Sequence, residues 1–157
     1  MRLSSFVAST LVCAACTAGA VVAVSVVSLS GQQVSADAPP LTEDAAKALK
    51  NPIPNTLKSI ARGKLMYGSL GCSNCHGTDG KALIDIVANA TDLTEPKVWK
   101  NGTEEGLVFR SLRDGAGVAM PPFKMEVTAQ EDLWHLVNFI RNLWPQGQRP
   151  PVAGAQD

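Results

Sequence analysis

Residues Cys72-Ser73-Asn74-Cys75-His76 form a C-x-x-C-H pentapeptide, and nothing else in this 157-residue chain restricts its fold as strongly. Two thiols one helical turn apart can each form a thioether to one edge of a porphyrin. The histidine that follows is then carried beneath the iron. This is the attachment pattern of a c-type haem. A chain stitched in this way must build its core around a flat prosthetic group. Other uses of a thiol pair fit less well. A zinc site needs two further Cys or His ligands nearby, and only His76 and distant His135 are on offer. A thiol–disulfide pair belongs in a βαβ context, and no alternating strand pattern follows Asp37.

The first 36 residues differ sharply from the rest. No charged side chain occurs between Arg2 and Asp37, and Phe6 to Ser30 is almost wholly small or apolar. Such a segment targets the chain and is set aside from fold reasoning. As a secretory signal it offers a small-residue exit at Val34-Ser35-Ala36. Its apolar stretch nevertheless exceeds the roughly 7–15 residues of a signal core and reaches the roughly 20 that span a bilayer. Both readings place the remainder outside the cytoplasm, either anchored by residues 6–30 or cleaved near Ala36. Cys13-Ala14-Ala15-Cys16 repeats the thiol spacing, but Thr17 follows where an axial histidine would be needed. Beyond this segment the formal charge balance is −1, with no basic patch suited to nucleic acid.

Residues 37–55 read as a linker with a short helix. Thr42 is its N-cap, and Pro52 and Pro54 prevent it from continuing. Residues 56–145 hold the haem domain. Its first helix spans Thr56 to Leu70, with Leu57, Ile60, Ala61, Leu65 and Gly68 on the repeating face. Gly63 and Gly68 are tolerated there if another helix approaches closely. A shorter turn is expected over Glu95 to Lys100, then a helix capped by Thr103 that ends near Asp114-Gly115. The closing helix starts from a capping box at Thr128-Ala129-Gln130-Glu131. It carries the stripe Leu133, Leu136, Val137, Ile140, Leu143 and Trp144. Residues 146–157, rich in Pro, Gly and Gln, read as a disordered tail. The expected class is all-α, with three to five helices around one haem.

Several segments together resemble the class I monohaem cytochromes c, and among them the bacterial cbb3-subunit type. Gly63-Lys64-Leu65-Met66-Tyr67 with Gly71 to Gly77 is similar to the family's first helix and haem loop. Asp92-Leu93-Thr94 and Phe109 to Gly115 resemble the following loop and helix, Ala119 to Phe123 the distal-methionine loop, and Glu131 to Trp134 the start of the closing helix. The resemblance covers about Leu57 to Leu143. In one respect the chain departs from it. Many relatives carry a proline soon after the histidine, whereas Lys81 to Asp92 contains none. The carbonyl that orients His76 is therefore left unassigned.

Cys72 and Cys75 are expected to hold one haem c covalently, and His76 to be its proximal ligand. Met120 is the expected distal ligand, since Pro121 and Pro122 stiffen its loop while Gly115 and Gly117 let the backbone pass close to the ring. Met125 is a rival, and Met66 belongs to the first helix. His135 is expected on the outward face of the closing helix. Leu93, Pro121 and Phe123 are expected walls of the haem crevice. Trp99, Arg110 and Arg113 are candidate donors to its propionates.

The resemblance implies a one-electron carrier, not itself an enzyme, on the periplasmic side of a bacterial inner membrane. Its partners would be transient redox proteins or a membrane respiratory complex. Two alternatives stay open: a haem subunit of a larger oxidase or dehydrogenase, and a ligand-binding haem sensor, which would require Met120 to be displaced.

Overall fold

Helix formation begins where side chains can satisfy free backbone donors. A computed structural model describes residues 38–82 and 89–154. The targeting segment, with Cys13 and Cys16, lies outside the described residues. In α1, Glu43–Ala48, the Thr42 hydroxyl accepts from the Ala45 N–H at 3.2 Å. In α2, Leu57–Ser69, Thr56 does the same for Ser59 at 3.1 Å. The one-turn α3, Ser73–His76, follows almost directly. A 3-10 turn occupies Pro96–Val98, then come α4, Glu105–Asp114, and α5, Gln130–Asn142. Among the described residues no strand forms; a single antiparallel bridge joins Ala116 and Met120. No described helix is long and apolar enough to cross a membrane.

Two expected caps do not form. Helix α4 starts one residue later than expected, with Glu104 at its N-cap, and α5 starts behind Ala129; neither has a side-chain cap bond. These helices are held by packing instead of by their first turns. Leu133, Leu136 and Val137 are fully buried, and Phe109 of α4 stacks on Trp134 with ring centroids 4.0 Å apart.

The packed face of α2 is only partly the one its large apolar residues mark, for Ile60 packs on the core but two leucines do not. Leu57 and Leu65 are 69% and 75% exposed, whereas Ser59, Gly63 and Tyr67 are buried. The cause is a very close crossing with α5. A Cβ at Gly63 would lie 2.1 Å from the carbonyl oxygen of His135, so only a residue without a side chain fits. Gly68 has nothing within 4 Å and takes no part in that approach.

A polar network closes the crossing. The Asn138 amide donates to the Ser59 hydroxyl at 2.8 Å and to the carbonyls of Ile53 and Pro54. Asn51 donates to Asn138 Oδ1 at 2.9 Å, and His135 Nδ1 bonds the Ser59 hydroxyl at 2.9 Å. His135, half-buried, therefore turns its Nδ1 toward α2, where its place beside the stripe led to an outward-facing expectation. Residues 38–55 lie along the domain: Gly106 of α4 comes so close to α1 that a Cβ would meet the Ala46 carbonyl at 1.9 Å. The tail is also engaged, not free. Ala153 N donates to Asn55 O at 2.7 Å, and Asn55 Nδ2 donates to the carbonyls of Pro150 and Pro151.

Gly63→Ala should lower unfolding free energy in a denaturant titration by about 1–3 kcal/mol, the cost of overpacking. Gly68→Ala should raise it by up to about 1 kcal/mol, through helix propensity alone. Burial, followed by the Arg62 charge, lowers the His135 pKa, against opposing pulls from Asp132 and Glu131. The unfolded chain then binds more protons than the folded one as pH falls below about 6.5, so stability rises with pH across that range. Denaturation midpoints measured from about pH 5 to 8 should show this slope in the native chain and a flatter one in His135→Gln.

Candidate haem site

The C-x-x-C-H turn is built by two glycines. Gly71, at φ +72°, breaks the line of α2, and Gly77, again at φ +72°, ends α3. Both conformations cost a residue with a Cβ and are free to glycine. Between them the His76 N–H donates to the Cys72 carbonyl at 2.9 Å, which completes the turn that carries both thiols and the imidazole. Cys72 is buried in the core, and Cys75 is partly exposed.

Each end of this turn is fixed from outside. Tyr67 packs edge-on against Phe139, with centroids 5.3 Å apart, and its hydroxyl donates to the Gly77 carbonyl at 2.7 Å. Burial holds the Tyr67 phenol well above its ordinary pKa, so it remains a donor. His76 Nδ1 lies 2.8 Å from the carbonyl of Thr91. A carbonyl only accepts, so Nδ1 carries the proton and Nε2 keeps its lone pair for a metal. Thr91 thus supplies the orienting carbonyl that the sequence left open. Its loop is secured by Trp99 Nε1, which donates to Asp92 O at 3.0 Å, and by Leu93 N, which donates to Gly80 O at 2.7 Å.

The opposite wall is the loop after α4. Ala116 and Met120 exchange backbone hydrogen bonds of 3.1 and 3.3 Å, folding the loop back on itself. Gly115 sits at φ +84° and a Cβ there would meet the Met120 carbonyl at 2.8 Å. Met120 is held half-buried at the end of this fold, where it packs on the core.

Between the two walls lies a cleft with two connected lobes. Both lobes are lined by Cys72, His76, Thr91 and Met120. The outer one measures about 510 Å³, within the span of roughly 300–1,000 Å³ typical of cofactor clefts. Leu93 and Trp99 line the inner lobe, and Cys75, Pro121 and Phe123 the outer. Two thiols on one turn, an imidazole with a free lone pair, a thioether in the facing loop and mostly apolar walls suit a haem. They suit thiol–disulfide exchange poorly: burial pushes the Cys72 thiol up to about 11, away from the ionised form that exchange uses. Among the described residues no cluster of three His, Cys, Asp or Glu side chains surrounds the pair.

Two candidate propionate donors lie elsewhere. Arg113 is buried, paired with Asp114 at 2.8 Å and bonded to Pro39 O at 3.2 Å. Arg110 lines neither lobe. Lys100, which no motif marks, lines both lobes, with Asn101 beside it. Tyr67, which packs on Phe139 of the closing helix, also lines the inner lobe. Met125 is 59% exposed and Met66 packs on the core; neither lines the cleft.

Residues 58–140 match the family model described as cytochrome C oxidase, cbb3-type, subunit III. A curated cbb3-type cytochrome c oxidase subunit CcoP of Helicobacter pylori strain 52 is 34% identical over 103 residues, which are 64% of this chain and 32% of the relative. The CcoP of a second Helicobacter pylori strain is 42% identical over 82 residues, 51% of this chain and 25% of that one. The chain thus spans about a third or less of the length of these relatives. A solved structure, the reducing HAO-like protein complex of Kuenenia stuttgartiensis, superposes with a TM-score of 0.54 at 26% identity. The match covers 63% of this chain and 49% of that one.

Tyr67→Phe removes the hydroxyl that donates to the Gly77 carbonyl while keeping the ring contact with Phe139. Denaturant unfolding should show a loss of about 1–3 kcal/mol, the cost of a buried polar group left without its partner.

Proposed function

The chain belongs to the family of cbb3-type cytochrome c oxidase subunit III domains and has the all-α cytochrome c fold, and from that premise we propose that it carries single electrons as a haem c subunit of a membrane oxidase complex. The observation that carries the reading is one cleft lined by Cys72, His76 and Met120 together. Cys72 and Cys75 would hold one haem c covalently, His76 would ligate its iron from the proximal side and Met120 from the distal side. When bound, the haem supplies an iron centre that gains or loses one electron.

This chain's own residues set the conditions for that exchange. Thr91 O holds the Nδ1 proton of His76 and so strengthens Nε2 as a ligand. The Met120 thioether favours a high reduction potential, as in other His/Met sites. Leu93, Trp99 and Phe123 exclude water from the cleft, which keeps its dielectric low. Lys100 offers a cation to carboxylates at the cleft. With His76 and Met120 both holding the iron, no position on it would be left open to a substrate. Reduction of oxygen would belong to a partner subunit, and this chain would be an electron carrier and not an enzyme.

A role inside an oxidase, over that of a free shuttle, is supported by the Helicobacter pylori relatives, which are oxidase subunits. The haem domain would sit on the periplasmic side of the inner membrane, tethered by residues 6–30. Co-purification in mild detergent separates the two roles: a subunit travels with oxidase activity, and a shuttle elutes alone.

The intact mass of the purified protein should exceed that of the polypeptide by one haem, and the pigment should stay with the protein in acidified organic solvent. Colourless protein, or pigment extracted by that solvent, would sink the reading. Met120→Ala should abolish the methionine–iron charge-transfer band of the oxidised form and allow the reduced form to bind carbon monoxide. Met120→His should lower the midpoint potential in a redox titration.

A further inference from the structure

The loop that presents Met120 is grasped at both of its roots by a segment distant in sequence. Its roots are the end of α4 and residues 123–124, zipped together by Phe123 N donating to Leu112 O at 2.9 Å and Lys124 N donating to Arg113 O at 3.3 Å. Residues 38–41, which run into α1, lie across this pair. Lys124 Nζ donates to Ala38 O at 2.9 Å. Both terminal nitrogens of Arg113 donate to Pro39 O at 3.2 Å, and Leu41 N donates to Asp114 Oδ2 at 2.9 Å. Arg113 and Asp114 are themselves paired, each with its side chain only 7% exposed. The side chains of Arg113, Asp114 and Lys124 thus all meet the N-terminal linker, at Ala38, Pro39 and Leu41.

The energetic balance of this arrangement is lopsided. A buried guanidinium–carboxylate pair is costly unless its remaining hydrogen-bonding capacity is met. Here the linker backbone meets it, with one carbonyl for Arg113 and one N–H for Asp114. Removing the linker would therefore loosen the two residues that precede Gly115, where the chain turns at φ +84° toward Met120. Within the loop itself, only the mutual Ala116–Met120 backbone bonds oppose such a shift.

We propose that residues 38–41 form a clasp whose hydrogen bonds to Arg113, Asp114 and Lys124 hold Met120 in its ligating position, making these three positioning residues for the distal ligand. The proposal rests on the assignment of Met120 as that ligand. It makes the linker between membrane segment and haem domain more than a spacer: any force or partner that lifts residues 38–41 weakens the hold on the methionine.

Imidazole, which competes with a weakly held methionine, is the probe. It is titrated into the oxidised full-length holoprotein while the methionine–iron band is followed. Lys124→Met and, on the other arm, Leu41→Pro should each tighten imidazole binding by about tenfold, equivalent to about 1.4 kcal/mol. Lys124→Arg should restore native affinity, and Lys47→Ala, on the same linker but outside the clasp, should leave it unchanged. In a Met120→Ala background, which should bind imidazole more tightly still, Lys124→Met should have no further effect. Native affinity in both clasp variants while Met120→Ala tightens binding would overturn the clasp alone. So would an equal effect of Lys124→Met with and without Met120, since it would then act on the cleft and not through the methionine. An unchanged band and affinity in Met120→Ala would remove the ligand assignment, and the clasp with it.

Discussion

Where α2 crosses α5, backbone rests on backbone, with Gly63 against the carbonyl of His135, and from this contact the geometry of the cleft is handed on. One turn beyond Gly63, the crossing aims Tyr67 at Phe139 and its hydroxyl at the Gly77 carbonyl. That bond fixes the end of the turn bearing Cys72, Cys75 and His76. His76 in turn is aligned by Thr91. A displacement of even a few tenths of an ångström at Gly63 would travel along this series, because close-packed interiors transmit strain and do not absorb it.

The two walls of the cleft are built on different terms. The histidine wall is anchored in the helix pair that makes most of the core, with buried aromatic contacts and short, well-shared hydrogen bonds. The methionine wall is a loop whose own internal support is one pair of backbone bonds. Its base relies on a buried ion pair completed by main-chain groups of the linker. Such a division would suit the proposed ligand pair, with the histidine held fixed and the methionine adjustable.

What was legible in the sequence was whatever depends on near neighbours. The C-x-x-C-H turn is local chemistry, so its residues and their order suffice. The helix caps at Thr42 and Thr56 were legible for the same reason, as was the inward stripe of α5. The packed face of α2 was misread because periodicity counts large apolar residues, while a crossing this close selects small ones and leaves Leu57 and Leu65 outside. The capping box of α5 did not form, since burial of its stripe fixes the helix without it. Arg110 and Arg113 were credited to the cleft by charge alone; only tertiary placement shows Arg113 turned to Pro39 and Asp114. Thr91, Lys100 and Asn101 carry no motif, and no pattern in the chain could have singled them out.

One side chain, Asn55, gathers three separate parts of the molecule. Its carbonyl oxygen Oδ1 receives the Asn142 amide at 2.8 Å, its own amide holds Pro150 and Pro151, and its backbone receives Ala153. The stretch that leads into α2 and the stretch that follows α5 therefore lie side by side. Neighbouring entrance and exit are what allow a unit to be spliced into other proteins with little distortion. A body of this design can be threaded onto a longer polypeptide like a bead, provided the stretch just ahead of it keeps its place across the methionine loop.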